Sequence, residues 1–409
     1  MLGACLALST ARGAAAQQLS QRGFIEAAGF GFPETAPNDQ VQVVGDVLFR
    51  EEAFWKPARW FEIDGGIDAR ANSHGQVEDQ WRFDWDDRGI ERPRLAVRRL
   101  STTLTAGGFS LTVGKQFVRW ARADILNPTD RFAPRDYMNV LDPELLPIFA
   151  VRPALQIGPD TFDVVWSPHF TPARLPLIHQ RWTVLPPEAA GLTIVDAGSV
   201  LPTGSEQGIR WNHIGRRFET ALSYFDGYNY LPDIDVQPIA ASAVRLARVF
   251  PKLHTFGADL AIPTPWVTLK SEAAYFKSPS GGHNEYVLYV VELERQRGEW
   301  VFDGGYIGEA VTRSVAGSPP RFAPDEGVAK SIIARASYTV DPRRTVAIQG
   351  AVRQSGDGFY LQGEYSQAVG QHWRATLSIV GLGGRTPISS ASTIGILMHR
   401  LSFDSVFED

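Results

Sequence analysis

Polar and charged side chains recur on alternate positions along the second half of the chain: Lys270 and Glu272, Glu292 and Glu294, Asp303, Gln349 and Arg353, Gln362 and Glu364, and Arg374. In extended chain, positions two apart share one face, so these residues form a polar surface opposite an apolar one. A surface bearing both signs can replace part of a solute's hydration shell without strong selection by ion charge. Mutual pairing on the wetted inside of a closed sheet is the plainer role for the same residues.

The most specific local pattern is Gly114-Lys115-Gln116-Phe117-Val118-Arg119-Trp120, followed by Asp124, Asn127-Pro128 and Asp130, with Arg135 and Asp136 beyond. It reads as a strand ending in a charged, aromatic rim and passing into a turn that Asn and Asp hold through bonds to backbone amides. Lys115 and Arg119 share one side of that strand, where they would be costly against lipid at the midplane. Inward placement, with Arg119 pairing to Asp124 or Asp130, would pin the following loop. Structural pinning is favoured over direct ligand contact.

Other chemistries are poorly supplied. The eight histidines show no metal-binding spacing, and the single cysteine lies at position 5, so no metal or other cofactor is expected. Asp84, Asp86 and Asp87 lack the ligand spacing of a calcium loop and read as a solvated outer loop. Gly381-Leu382-Gly383-Gly384 follows a strand without opening a helix, which argues against a phosphate cradle. Serine, histidine and carboxylates are plentiful, but no nucleophile motif marks them, and the chain is not expected to be an enzyme.

The elements that must position these residues are strands. Phe359, Leu361, Gly363 and Tyr365 alternate with Tyr360, Gln362, Glu364 and Ser366; after Val369-Gly370-Gln371, Trp373, Ala375, Leu377 and Ile379 alternate with Arg374, Thr376 and Ser378. Similar hairpins fill most of the chain, and no helical layer is left to cover their apolar faces. One closed sheet, apolar outside and polar inside, satisfies both requirements. The expectation is an all-β, transmembrane, antiparallel up-and-down barrel with an even number of strands, about 14 to 18 and best 18.

Strands are expected near 22–32, 41–50, 60–70, 94–105, 109–120, 154–157, 162–166, 207–214, 217–226, 253–261, 266–276, 285–296, 299–309, 329–339, 345–354, 358–368, 372–381 and 393–403. Tight turns alternate with longer connections, a parity that puts the C-terminus in the periplasm. Trp266, Trp300, Trp373, Tyr286 and Tyr306 stand near strand ends, where an interfacial aromatic girdle belongs. Two Pro-rich segments, Ala123 to Arg152 and Ser167 to Glu206, are not strand-like. The first, carrying Phe132, Tyr137, Leu145, Leu146, Ile148 and Phe149, is expected to fold over or into the barrel mouth.

Composition agrees. The 409 residues include 11% aromatic and 21% charged, with a formal charge of −5, enough apolar content for a large core and too even a charge for nucleic acid. Beyond the first twenty residues no apolar run is long enough for a helical span. Leu2 to Leu8 followed by Ala14-Ala15-Ala16 reads as a signal peptide over 1–16, leaving a barrel over 17–409. No basic residue precedes the apolar stretch, so a true start upstream of Met1 is an expectation left open. Cys5 precedes most of that stretch, so removal with the signal is favoured over lipidation.

The run Gly114-Lys115-Gln116 to Trp120, then Asp124, Asn127-Pro128, Asp130 and Glu144-Leu145-Leu146-Pro147, resembles a motif of poorly characterised porin-like outer-membrane barrels, distantly similar to alginate-export barrels. Ala121 stands where that motif usually has Gly. The likeness covers about Leu95 to Trp182 and implies location and transport class, without a ligand. The combined expectation is a bacterial outer-membrane channel or exporter passing a small solute or hydrophobic cargo passively. Lumen-lining candidates are Lys115, Arg119, Lys270, Glu272, Asp303, Arg353, Glu364 and Arg374. Constriction-loop candidates are Asp124, Asn127, Asp130, Arg135 and Asp136. Membrane lipid, lipopolysaccharide, the solute and an inner-membrane exporter or periplasmic protein are the expected partners. An outer-membrane hydrolase with a rim active site and a plugged assembly barrel are the alternatives.

Overall fold

Alternating apolar residues force the chain into a sheet whose two faces meet different surroundings. The computed structural model describes residues 18–183, 189, 191–317, 324–384 and 398–408. Its main sheet has nineteen members, one of which is the two-residue Phe83–Asp84 segment, so eighteen strands build the wall. They are β1 Gln18–Gly31, β2 Val43–Ala58, β3 Phe61–Asn72, β4 Leu95–Ala106, β5 Phe109–Gln116 and β6 Ile148–Ile157. Next come β7 Asp160–Ser167, β8 Glu206–Ile214, β9 Glu219–Tyr228, β10 Lys252–Pro263, β11 Thr268–Lys277 and β12 Glu285–Arg297. The last are β13 Trp300–Arg313, β14 Ser331–Asp341, β15 Arg344–Arg353, β16 Gly358–Val369, β17 Trp373–Gly384 and β18 Met398–Glu408. Each pairs antiparallel with the next, and β18 pairs with β1 from Arg22↔Glu408 to Gly31↔His399, which closes the barrel and leaves no edge.

Register fixes what faces where. Ile348, Gly363 and Ile379 lie side by side across β15 to β17, and so do Gln349, Gln362 and Val380 one step along. The first row points outward, with Ile348 and Ile379 53% and 41% exposed; the second lines the interior. Trp60, Trp266, Trp300 and Trp373 project outward at one end of the barrel. Tyr286 departs from the expected girdle: it is buried and stacked on Phe276 inside the barrel, 4.6 Å between ring centres.

Connections at the girdle end are short, such as 107–108 and 298–299, where Gly107 and Gly298 take the left-handed conformation a two-residue hairpin needs. Both described chain ends lie there too, since Arg22 is beside Glu408. Connections at the other end are mostly long. Two of them, 168–205 and 229–251, join in a small outer sheet of Thr193–Val200, Ala243–Val249 and Asp233–Ala240.

The strand boundaries differ from expectation at one functional place. β5 stops at Gln116, and β6 begins at Ile148 although the sequence reads as loop to Arg152. Pro153 obscures that strand. It is accommodated because the β6–β7 ladder is interrupted between Val151↔Trp166 and Ala154↔Asp163, so no pairing to β7 is recorded at its position. The inward loop is therefore 117–147. Residues 1–17, which hold the expected signal peptide, and the first part of the strand expected at 393–403 lie outside the described residues.

Candidate functional site: a lumen narrowed by an inward loop

After Gln116 the chain leaves the wall and crosses the barrel interior. Its apolar residues pack against inward-facing wall residues: Trp120 and Phe132 with Val165 and Phe225, and Leu126 with Leu288, Val290 and Ile307. Two inward glycines clear space for it. A Cβ on Gly208 of β8 would lie 2.7 Å from Trp120, and one on Gly257 of β10 would lie 2.7 Å from Thr129.

Carboxylates of the wall supply the polar anchors. Glu272 of β11 and Glu292 of β12 are 1% and 0% exposed. Glu272 accepts the amides of Arg122 at 2.9 Å, Ala123 at 3.2 Å and Thr129 at 2.8 Å, and the Thr129 hydroxyl at 2.7 Å. Glu292 accepts the amides of Asp124 at 3.0 Å and Ile125 at 3.1 Å. A loop placed inside a barrel must satisfy its backbone donors, and these acids do so. The Arg122 guanidinium reaches Asp259 at 2.6 Å, Asn212 at 2.7 Å, and Glu219. Lys270 bridges Asp124 and Glu294.

The second half of the loop is held by arginines. Arg135–Asp136 pairs with Glu144–Leu145 in a short hairpin. Asp136 accepts Arg92 at 2.9 Å and Arg174 at 2.7 Å, while Glu144 accepts Arg70 at 2.6 Å and Arg50 at 3.2 Å. Arg98 stands 3.7 Å from both Asp68 and Glu144. It faces inward beside Arg99 because the β3–β4 register slips between Gly66 and Ile67, giving an extra residue that breaks the alternation. Burial pushes the Glu144 carboxyl up, but Arg70, Arg50 and Arg98 more than offset it and hold it down to about 2. Asp136 is likewise held far below the carboxylate range: burial opposes this, and Arg92 and Arg174 outweigh it.

The loop tip leaves the opposite wall open. One cavity of about 720 Å³, counting space open to solvent, is lined by Phe30, Leu48, Arg70, Arg92, Glu144 and Trp182 among others. A second, of about 740 Å³, lies between the tip and β14 to β17, with Arg335, Gln349, Gln362, Glu364 and Ser378 on the wall. Asn139 and Asp142 line both. Phe30, Phe32, Leu141, Trp182, Tyr360 and Leu382 gather in an apolar cluster between them.

The residues singled out from sequence fall in several places. Lys270, Glu272, Asp124, Asn127, Asp130, Arg135 and Asp136 belong to the anchoring network. Asp130 accepts the amides of Trp120 and Ala121, and Asn127 accepts Arg135 at 3.0 Å. Arg119 stands 3.8 Å from Asp130 as expected but is 55% exposed. Lys115, for which the sequence marks no partner, is buried at 2.7 Å from Asp87. Thus Asp84 and Asp87 are not a solvated loop. Both are buried, with Arg174 3.5 Å from Asp87. Burial and the neighbouring Asp87 and Asp86 charges raise the Asp84 carboxyl. Glu364 faces the second cavity, Arg353 lies near Asp357 at the long-loop end, and Arg374 donates to Ser366 near the short turns. Asp303 lies opposite Arg335 across β13 and β14. Among the described residues, His74, His213, His254 and His283 contact Asp39, Asp160, Asp226 and Asp233, and none receives a serine hydroxyl.

No family model matches the chain, and no curated protein does either. Solved structures do. A BenF-like porin from Pseudomonas fluorescens Pf-5 superposes with TM-score 0.54 at 12% identity, over 97% of this chain and 99% of that one. OccAB4 from Acinetobacter baumannii gives 0.56 at 10% identity, over 96% and 99%. OpdK from Pseudomonas aeruginosa, crystallised with vanillate, gives 0.53 at 11% identity, over 96% and 99%. At such identities the likeness establishes the fold: this chain has the porin-like barrel over nearly its whole length. The likeness to alginate-export barrels rests on the sequence motif alone.

Proposed function

We propose that the chain is a bacterial outer-membrane channel through which a small polar solute passes passively, between the inward loop and the β14 to β17 wall. The observation that carries this reading is the pair of cavities sharing Asn139 and Asp142 inside a barrel whose outward face is apolar. Polar wall groups would replace part of the solute's hydration, and the loop would set the size limit. The girdle end, with both described chain ends, faces the periplasm in this reading, and residues 1–16 are the export signal.

The cavities are lined by both signs: Glu26, Asp46, Asp142, Glu144 and Glu364 against Arg70, Arg92, Arg181 and Arg335. Weak ion selectivity follows. Aromatic and apolar residues beside the Arg181 guanidinium, which lies 3.7 Å from the Phe32 ring centre, suit an organic acid with a ring, the chemistry of the vanillate in the OpdK structure. The test is single-channel recording in a planar bilayer with vanillate added to one side. Reversible blockade, weakened by Arg181→Gln, supports this solute class; steady current unaffected by vanillate excludes it while leaving the channel.

A further inference from the structure

Surface cations at both ends of the barrel are partly paired and partly unpaired. At the long-loop end Arg82, Lys252 and Arg313 have acidic partners in Glu78, Asp226 and Glu285, although Lys277, Lys330 and Arg245 have none. At the short-turn end Lys56 and Arg344 pair with Glu62 and Asp341, whereas Arg59, Arg216, Arg217, Arg295, Arg297 and Arg343 form no ion pair among the described residues, although Glu299 lies in the same turn as Arg297. A guanidinium left unpaired at a membrane interface is available to a phosphate oxygen pair, which matches its fork geometry.

Two of these arginines lie in a built setting. The outward face of β12 runs Val291, Leu293, Arg295, Arg297 toward the turn at 298–299, with Val291 and Leu293 41% and 50% exposed. Across the ladder, Arg295 is opposite Phe302 and Arg297 opposite Trp300, and Gly304 is opposite Leu293. Trp300 and Phe302 stack at 5.4 Å, Tyr338 lies 4.7 Å from Trp300, and the Arg295 guanidinium is 6.0 Å from the Trp266 ring centre. A Cβ on Gly304 would meet only the Ile333 carbonyl oxygen, at 3.7 Å. The result is a shallow apolar channel beside Leu293, leading down to two guanidiniums framed by aromatic rings.

We propose that this outward surface binds an anionic phospholipid of the periplasmic leaflet. Its phosphate would lie on Arg295 and Arg297, its glycerol region against Trp266 and Trp300, and an acyl chain along Leu293 and Gly304. The inference rests on the membrane-embedded reading above. The ligand chemistry is a phosphodiester, which a lipid presents together with acyl chains and free phosphate does not.

The test uses the full chain reconstituted in vesicles of phosphatidylcholine and phosphatidylglycerol. Embedding is checked by flotation, and retained lipid is counted by native mass spectrometry. Retained phosphatidylglycerol is expected to fall roughly tenfold or more in R295Q/R297Q, with Arg343→Gln, a turn arginine outside this setting, behaving as the parent. Trp266→Ala reports on the aromatic frame and should reduce retention partly. Equal retention in parent and R295Q/R297Q overturns the site, as does loss of retention from the parent when inorganic phosphate is added. Failure to float overturns the membrane reading itself, and flotation without lipid preference overturns only the phospholipid site.

Discussion

Six hydrogen bonds converge on two buried acids, Glu272 and Glu292, and they define what holds the loop inside. Bonds to a charged acceptor contribute about 1.5–3 kcal/mol each, and amides left bare inside the barrel would cost a comparable amount. Combining Glu272→Ala with Glu292→Ala should therefore release residues 122–129 and enlarge single-channel conductance, while heat-modifiable gel mobility stays that of a closed barrel. The arginine side behaves differently with pH. The folded Glu144 pKa, about 2, lies below its ordinary 4.5, so its contribution is complete above about 4.5 and lost as pH falls toward 2. Current noise from loop movement should rise across that window and be pH-independent there in Glu144→Gln. At this scale the sequence was only partly legible. Alternation placed Lys270, Glu272, Asp303 and Glu364 inside, but it could not show that Lys115 meets Asp87, nor mark Arg50, Arg70, Arg92 and Arg174. Those contacts join segments as far apart as Arg70 and Glu144, and local spacing says nothing about them.

The strands themselves were legible because alternation is imposed residue by residue by water or loop on one side and an apolar surround on the other. β12 to β17 follow it closely. Where other physics intervened, the pattern misled. Pro153 made the start of β6 look like loop, the bulge at Arg98 hid an inward guanidinium, and Tyr286 entered the loop's packing instead of a girdle. The loop also depends on what the wall lacks. Gly257→Val should push Thr129 off the wall and widen the channel, to a degree read from the size of neutral polymer that enters; Gly363→Val, on the outward face with open space around it, should leave that size unchanged.

Across the whole molecule, even strand number, closure of β18 on β1 and the parity of turns put both described chain ends at the girdle end. A cysteine placed in the 298–299 turn should react with an impermeant maleimide only after the outer membrane is opened, and one in the 240–243 hairpin should react in intact cells. The reverse pattern would invert the proposed orientation. An open lumen restricted by the inward loop should be visible in single-channel conductance of the refolded chain with and without residues Asn127 to Leu146. Small, weakly ion-selective steps that enlarge on deletion are expected. Silence in both forms, with the barrel shown to be folded, would contradict an open lumen.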